Sequence, residues 1–258
     1  MVSTLAGLQE LNNRIDYESI RLLTIDEPVS GEIEAEWSNR IGLGELDAIG
    51  IIWSGRNELV QPLSYKKYSK LDDAETLASS YGFATRFRQS GGGLVPQGDG
   101  ILNLSLIWKT KSNISEISND IYLHLGSIIK KTFSQFGVET FYQEVPRAFC
   151  DGRFNLAAIH NDQVKKIVGT AQYWKKYNEI YVVLAHALIL INVNNNKLCD
   201  LLNKYEEKLG SDKSYSPDAI VDFCTLFSSE NEDFLSKNVI KELFIKELAN
   251  QIIKIGED

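Results

Sequence analysis

Two stretches of this 258-residue sequence carry residue types that could do chemistry. In the first, RQSGGGLVPQGDG, Arg86 and Arg88 lead into Ser90 and three consecutive glycines. Glycine loses much backbone freedom on folding, so a run of glycine marks a turn, a linker, or a place where backbone approaches a ligand. The alternating segment ILNLSLIW follows, which indicates that the run joins two structured elements. A tight turn explains such a run most simply. Flanking arginines also suit a carboxylate or a phosphate.

Two phosphate-binding motifs are excluded by pattern. A Walker loop needs Gly-Lys-Ser/Thr ahead of a helix, and a dinucleotide fingerprint must also open a helix. Here the glycines stand between two predicted strands. The sequence therefore favours either a hairpin turn or a bend whose amides lie open to a ligand.

The second stretch, FCDGRFNLAAIHNDQVKKIVGTAQYW, contains one cysteine and two lysines. Cys150 precedes a turn-forming Asp-Gly pair, and Lys165 and Lys166 precede a run of small residues in a predicted strand. Side chains alternate along a strand, so at most one of the two lysines faces inward, where it could stabilise an acyl oxygen or a phosphate. Taken alone, Cys150 is explained more simply as a buried inert thiol, and an outward lysine as a solvated charge.

Composition and charge exclude several classes of protein. The net charge is −8, which argues against nucleic acid or an anionic membrane as the main partner. The first residues lack the basic and apolar regions of a signal peptide, and YVVLAHALILINV is too short to span a bilayer as a helix. Three cysteines without a CxxC motif fit a reducing cytoplasm. The three histidines have no mutual spacing that indicates a metal site, so we expect none.

The periodicity of apolar residues predicts an α+β fold with mixed, largely antiparallel sheets and packed helices. The pattern is helical, then strand-rich, then helical again after about Asn194. We therefore predict a catalytic domain over residues 1–195 and a small C-terminal helical extension over residues 196–258. The predicted helices cover 27–42, 69–82, 115–137, 197–209, 216–227 and 238–255, and the predicted strands cover 48–53, 83–88, 101–108, 154–159, 165–174 and 179–191.

Three blocks in order, RQSGGGLVPQGDGILNLS, RFNLAA and KKIVGTAQ, resemble the lipoate-protein ligase, octanoyltransferase and biotin-ligase superfamily over roughly residues 20–195. That family has an arginine followed by Ser-Gly-Gly and, downstream, a Lys-x-x-Gly hairpin, whose lysine is Lys166 here. The resemblance implies a catalytic domain like that of class II synthetases and biotin ligases. The substrate-binding residues that it implies are Arg86, Arg88, Ser90, Gly91, Gly92, Gly93, Asn103, Asn155, Gly169, Thr170 and Ala171.

Within the superfamily, the sequence is most similar to the lipoyl/octanoyl amidotransferase branch. ATP-dependent ligases usually carry a Phe-His-Asp-like element after the glycines, and this chain has VPQGD there. The amidotransferases pair Gly-x-Leu-Asn-x-Ser with Cys-x-Gly-x-Tyr-Asp-Leu, and this chain has DGILNLS and CDGRFNL. The resemblance thus implies that Cys150 carries the acyl group, with Phe154 in place of the tyrosine and Asn155 in place of the aspartate.

The chemistry of acyl transfer is compatible with these residues. A thiolate is a good nucleophile and a good leaving group, so a cysteine divides the transfer into two easier steps. A nearby cation such as Lys166 would favour the thiolate, and amides from Gly91 to Gly93 could stabilise the oxyanion by about 3 kcal/mol each. An apolar slot would hold the acyl chain at about 0.8 kcal/mol per buried CH₂. We expect Leu94, Leu104 and residues 181–184 to line it.

Three functions remain open at this point. The first, which we favour, is a cytoplasmic transferase that moves an octanoyl or lipoyl group to the lysine of a lipoyl-domain protein, such as the glycine cleavage H protein or an E2 subunit of a 2-oxoacid dehydrogenase. It would require no cofactor. The second is a lipoate-protein ligase that uses ATP and Mg²⁺ to form lipoyl-adenylate. The third is a catalytically silent relative that binds an acyl chain or a partner.

Overall fold

A computed structural model describes residues 21–89, 91–230 and 235–254. The strands are β1 Arg21–Val29, β2 Ala48–Gly55, β3 Glu58–Pro62, β4 Ala84–Arg88, β5 Val95–Gln97, β6 Ile101–Thr110, β7 Phe141–Tyr142, β8 Leu156–His160, β9 Gln163–Tyr177 and β10 Ile180–Leu190. The α-helices are α1 Glu32–Gly42, α2 Leu71–Ser80, α3 Ile114–Ser134, α4 Asn195–Leu209, α5 Phe223–Glu230 and α6 Lys237–Lys254. Two short 3₁₀ segments cover Leu63–Lys67 and Pro217–Ala219.

Seven strands form the large sheet in the order β1-β2-β6-β10-β9-β8-β7. Every neighbouring pair is antiparallel except β1 and β2. Two-residue turns explain the antiparallel pairing of β8 with β9 and of β9 with β10. In the first of these turns, Asn161 and Asp162 have left-handed φ values of 51° and 57°. The small sheet has the order β4-β3-β5. The predicted α+β class with largely antiparallel sheets is confirmed.

The two faces of the large sheet are covered differently. On one face, apolar side chains of β6, β9 and β10 pack against α3, α5 and α6. On the other face there are two separate apolar clusters. One lies under α1, and the other lies between the sheet, α2, α4 and the small sheet. In the middle of this face, Gly169, Ala171 and His186 are only partly buried.

Most predicted elements are present, but the helix predicted over 216–227 begins only at Phe223, after a 3₁₀ segment and a non-helical stretch. The other main error is at the N-terminal end. The helix predicted over 27–42 begins only at Glu32, because Pro28 and Val29 end strand β1. Strand β3 is absent from the sequence-based prediction because it is short and ends in Pro62, and proline within an apolar run argues against a strand. Its backbone nevertheless pairs on both sides, with β4 and β5.

The helices after residue 195 share the cores of the preceding residues. Leu202 and Tyr205 of α4 are fully buried in the cluster beside the small sheet. Phe244 and Leu248 of α6 are fully buried in the cluster under α3. The packing of these helices is continuous with that of the residues before 195. The predicted division into a catalytic domain and an extension stays a prediction.

Among the described residues, no helix has both the length and the apolar character needed to cross a membrane.

Candidate active site

Cys150 lies in the loop that joins β7 to β8, and this loop is held in an unusual conformation. The cysteine has a left-handed φ of 47°, which is costly for a residue other than glycine and persists only when surrounding contacts impose it. The Asp151 carboxylate closes the loop by accepting the backbone N–H groups of Val145 at 3.0 Å and Gly152 at 2.9 Å. Cys150 itself is partly exposed.

Lys166 supports the Cys150 loop from the sheet. Its side chain is 1% exposed, and Nζ donates to the carbonyls of Phe149 at 2.5 Å and Cys150 at 2.8 Å. A β-bulge in β9 at this point, opposite Leu156–Ala157, turns Lys166 away from Ile167 and Val168, which both enter the core under α3. Lys165 is partly exposed, so Lys166 is the inward lysine of the pair.

Burial changes the proton affinity of this lysine. Removal from water lowers the pKa of Lys166 from 10.5 to about 8, although charge interactions with Cys150 and Asp151 oppose the shift. An ammonium has three N–H donors, and the two bonds to backbone carbonyls leave one. A Cβ at Gly169 would lie 3.2 Å from Nζ, so the missing side chain leaves space beside this third donor.

Asn155 provides a second support for the same carbonyl. Its Nδ2 donates to the Cys150 carbonyl at 2.9 Å, and its Oδ1 accepts the backbone N–H of Thr170 at 2.9 Å. The Thr170 hydroxyl donates to the Phe154 carbonyl at 3.0 Å. These contacts tie the end of the Cys150 loop to β9, and they use the polar atoms of Thr170 within the protein.

The glycine bend, residues 91–93, faces the thiol across Arg88. The Arg88 guanidinium donates to the carbonyls of Gly91 at 2.9 Å, Gly93 at 2.5 Å and Val60 at 2.8 Å. Its Nη2 lies 4.0 Å from Cys150 Sγ. The bend thus turns carbonyl oxygens toward Arg88, and the guanidinium is the cationic donor beside the sulfur.

The middle glycine of the bend makes the approach to the thiol possible. Gly92 has a φ of 98°, and a Cβ there would lie 3.1 Å from Cys150 Sγ. The structure therefore brings together the Cys150 sulfur, the glycine bend and Arg88, with Lys166 holding the backbone on the other side of the cysteine. Ser90 lies outside the described residues.

Arg86 and Asn103 do not join this group. Arg86 forms an ion pair with Glu58 at 3.1 Å, and its side chain passes close to Gly31. The Asn103 amide is fully buried and exchanges two hydrogen bonds of 2.9 Å with the Gln97 amide. The structure shows no contact between either residue and Cys150.

A second polar group lies farther along the same sheet face, and it contains residues that the sequence analysis missed. His186 Nδ1 lies 2.6 Å from Glu34 Oε1, which also accepts the Ser105 hydroxyl at 2.6 Å. Ser105 in turn accepts the indole N–H of Trp53 at 2.9 Å. Burial raises the pKa of Glu34, but the charge of His186 and these hydrogen bonds outweigh it and hold that pKa below its ordinary value. The only sequence signal was the place of His186 in the alternation of β10.

Sheet register relates the two groups. His186 is paired with Ser105 and Ala171, and Leu188 in the next row is paired with Asn103 and Gly169. Paired residues share a face, and rows lie about 7 Å apart along a strand. Gly169 and Ala171 are partly exposed, so small residues line the face between Lys166 and His186.

Two of the residues expected to line an acyl slot lie elsewhere. Leu104 and Val183 are fully buried on the opposite face of the sheet, under α3, because they alternate with the residues of the cleft face. The expectation for these positions is wrong. Leu94 is fully buried in the cluster beside the small sheet.

The other two cysteines, Cys199 and Cys224, lie in the core. Burial raises the pKa of Cys199 to about 11 and that of Cys224 to about 11, so neither thiol ionises readily. No group of three or more potential metal ligands occurs within the described ranges.

A separate cavity of about 500 Å³ lies between the start of α4 and the β5–β6 turn, lined by Tyr81, Phe83, Ile101 and Leu198, away from Cys150.

Comparison with known proteins agrees with this fold. The profile of the family described as lipoyl protein ligase A/B catalytic domain matches residues 65–249. The chain therefore belongs to this family and is an enzyme of the lipoate-protein ligase superfamily.

Two sequence relatives illustrate the range of the similarity. An uncharacterised protein of Cupriavidus necator is 35% identical over 178 residues, which is 66% of this chain and 70% of the relative. The octanoyl-GcvH:protein N-octanoyltransferase of Kyrpidia tusciae is 31% identical over 137 residues, or 50% of this chain. The matched part spans only 45% of that transferase.

Solved structures share the fold at low sequence identity. Protein Ta0514 of T. acidophilum with bound lipoic acid has a TM-score of 0.58 and 15% identity, with 90% of this chain and 85% of that chain covered. Lipoate-protein ligase A bound with ATP has a TM-score of 0.59 and 15% identity, with 90% and 84% covered.

Proposed function

We propose that this enzyme transfers an octanoyl or lipoyl group to a lysine through a thioester on Cys150. The observation that carries the proposal is the position of the thiol: partly exposed, 4.0 Å from the Arg88 guanidinium and facing the glycine bend. Among the cysteines of the chain, Cys199 and Cys224 are buried. Relatives named octanoyl-GcvH:protein N-octanoyltransferases support the same reaction class.

The reaction would proceed in two balanced steps. In the first, the Cys150 thiolate attacks the acyl carbonyl of the donor, a C–S bond forms, the bond from the carbonyl to the donor amine or thiol breaks, and a proton goes to the leaving group. In the second, the neutral amine of the acceptor lysine attacks the thioester, a C–N bond forms, and the C–S bond breaks to return the thiolate. The amine gives up one proton to solvent, which balances the proton that the leaving group takes from solvent in the first step. Each step passes through a tetrahedral oxyanion.

The residues around the thiol would have distinct roles in these steps. The Arg88 guanidinium supplies positive charge beside the sulfur. Lys166 Nζ would lie 3.2 Å from a Cβ at Gly169, and in this proposal its remaining N–H donates to the acyl oxygen there. The acyl chain would extend over Gly169 and Ala171 toward His186. Arg86, Asn103, Asn155 and Thr170 would then act by shaping this cleft.

The acceptors in this proposal are lipoyl-domain proteins, either a glycine cleavage H protein or an E2 subunit. One structural neighbour is a bipartite lipoate protein ligase described with its E2 lipoyl domain. The proposal needs no cofactor, and it places the protein in the cytoplasm, where three free thiols are compatible with the redox conditions.

The test is intact-mass analysis after incubation with an octanoylated H protein. We expect a hydroxylamine-labile octanoyl adduct on the wild-type protein and on Cys199→Ala, whose altered thiol is buried, and none on Cys150→Ala. Transfer to an acceptor should disappear with the adduct.

Two other results would point to different functions. Transfer that persists in Cys150→Ala, together with pyrophosphate release dependent on lipoate and ATP, would identify a ligase. Binding of acyl chains without adduct or transfer would identify a silent relative. Both results would contradict the thioester mechanism.

A further inference from the structure

A buried carboxylate lies behind the glycine bend and has no role in the reaction described so far. Glu206, on α4, is fully buried. Its Oε1 accepts the hydroxyls of Tyr65 at 2.5 Å and Tyr215 at 2.7 Å. Among the described residues, Oε2 has no hydrogen-bond partner. Burying a carboxylate is costly, so its presence here calls for a physical reason.

Tyr215 connects this carboxylate to the bend. A Cβ at Gly93 would lie 3.5 Å from the Tyr215 hydroxyl, so this hydroxyl lies beside the bend, on the side where Gly93 has no side chain. The backbone of Tyr215 is fixed on α4 by Asn203, which accepts its N–H at 2.7 Å and donates to its carbonyl at 2.9 Å. Both ends of Tyr215 are therefore anchored to one helix.

The segment that follows Tyr215 contacts the other two parts of the site. The Ser216 N–H donates to the carbonyl of Arg147, in the Cys150 loop, at 2.9 Å. The Val221 N–H donates to the carbonyl of Lys166 at 2.9 Å. A single segment, residues 215–221, thus touches the glycine bend, the Cys150 loop and the Lys166 strand.

We propose that Glu206 is a positioning residue that acts through Tyr215 to set the distance between the glycine bend and the Cys150 thiol. This assigns to the helices after residue 195 the task of aligning the site. The proposal rests on Cys150 as the reacting group, but it concerns the geometry of the thiol and can be tested without an acyl substrate. A shift of the bend changes access to Sγ, because the bend lies so near the thiol that a Cβ at Gly92 would stand 3.1 Å from Sγ.

The test compares Tyr215→Phe with Tyr205→Phe. Each substitution removes one buried hydroxyl from the same region. The Tyr205 hydroxyl, however, donates to Gln61 at 2.7 Å and does not lie beside Gly93 as the Tyr215 hydroxyl does. The readouts are the rate of Cys150 alkylation by iodoacetamide, followed by peptide mass spectrometry, the rate of acyl transfer, and the unfolding midpoint. We expect Tyr215→Phe to change both rates by about tenfold or more. Tyr205→Phe should lose a similar amount of stability, but its two rates should stay within about twofold of the wild-type rates.

Variants of the carboxylate complete the experiment. Glu206→Gln keeps an oxygen that can accept both hydroxyls, so both rates should stay within about twofold of wild type, whereas Glu206→Ala should behave as Tyr215→Phe does. The proposal would be overturned if both variants, Tyr205→Phe and Tyr215→Phe, changed the two rates to the same extent for a given loss of stability. So would failure of Tyr215→Phe and Glu206→Ala to fold while Tyr205→Phe folds, because the cluster would then be structural only. A wild-type protein without transfer activity would count against the proposed function and leave the alkylation comparison intact.

Discussion

Lys166 and Asn155 act on the backbone of Cys150, and this determines what its thiol can do. Both side chains donate to the carbonyl of the cysteine, at 2.8 Å and 2.9 Å. Those bonds hold a left-handed residue in place and direct Sγ toward Arg88 and Gly92. The family resemblance implies that Lys166 is catalytic. In the structure, Lys166 also holds the backbone of Cys150 in place, and its spacing to Gly169 in the sequence does not reveal this.

The buried lysine predicts a specific dependence of stability on pH. Burial lowers the pKa of Lys166 to about 8, so between about pH 8 and 10.5 the unfolded chain holds a proton that the folded protein has released. The contribution of Lys166 to the free energy of unfolding is greatest above pH 10.5, and it is lost as the pH falls through 8. The slope is at most about 1.4 kcal/mol per pH unit.

Denaturant unfolding of wild type and Lys166→Met at pH 7, 8, 9 and 10 measures this effect. We expect the difference in unfolding free energy to shift in favour of wild type as the pH rises, because methionine does not titrate. Parallel curves for the two proteins would show that Lys166 keeps an ordinary pKa.

At the scale of elements, the glycine bend and β4 form one unit through Arg88. The guanidinium gathers carbonyls from the bend and from β3, so the loop is ordered by a side chain of the strand that precedes it. Of the glycines in the bend, Gly92 has the positive φ and lies against the thiol, whereas Gly93 meets only ordinary van der Waals contacts.

This difference predicts unequal effects of adding a methyl group. Gly92→Ala should destabilise the protein by about 1–2 kcal/mol or more, because alanine is disfavoured at positive φ and its Cβ would press on Cys150 Sγ. Gly93→Ala should change stability by no more than about 0.5 kcal/mol. Unfolding in denaturant gives both values, and equal losses would contradict the geometry of the bend.

At the scale of the whole molecule, the C-terminal helices complete the apolar cores. Phe244 packs on Phe133 and Phe223 with ring centroids 5.0 Å and 4.8 Å apart, under the large sheet. The family profile matches to residue 249, well beyond the change of pattern at Asn194. These helices are therefore not separable from the sheet by packing.

Phe244→Ala should destabilise the protein by about 3–5 kcal/mol, since it removes a fully buried ring from this cluster. Lys246→Ala, at an exposed position of the same helix, should stay within about 0.5 kcal/mol of wild type. Thermal unfolding of the pair checks this, and a small effect of Phe244→Ala would mean that α6 is not part of the cooperative core.

The sequence by itself determined the strongly periodic elements, the α+β class and the family. Long alternating or helical patterns, such as β6 and α3, are set by local burial preferences, and the Ser-Gly-Gly, Asn-Leu and Lys-x-x-Gly blocks are local in sequence. The family resemblance, through the Lys-x-x-Gly motif that ends at Gly169, implied Lys166 and not Lys165. The sequence did not predict β3, because Pro62 at its end argues against a strand. This strand forms through backbone pairing with β4 and β5.

Only the tertiary structure decided which polar residues meet. Arg86 and Arg88 are two residues apart, yet one pairs with Glu58 and the other lies beside Cys150. Glu34 and His186 lie 152 positions apart in the chain, and the packing of α1 on the large sheet brings them into contact. Contacts of this kind depend on strand order and on the packing of helices that arrive late in the chain, and no local pattern encodes them.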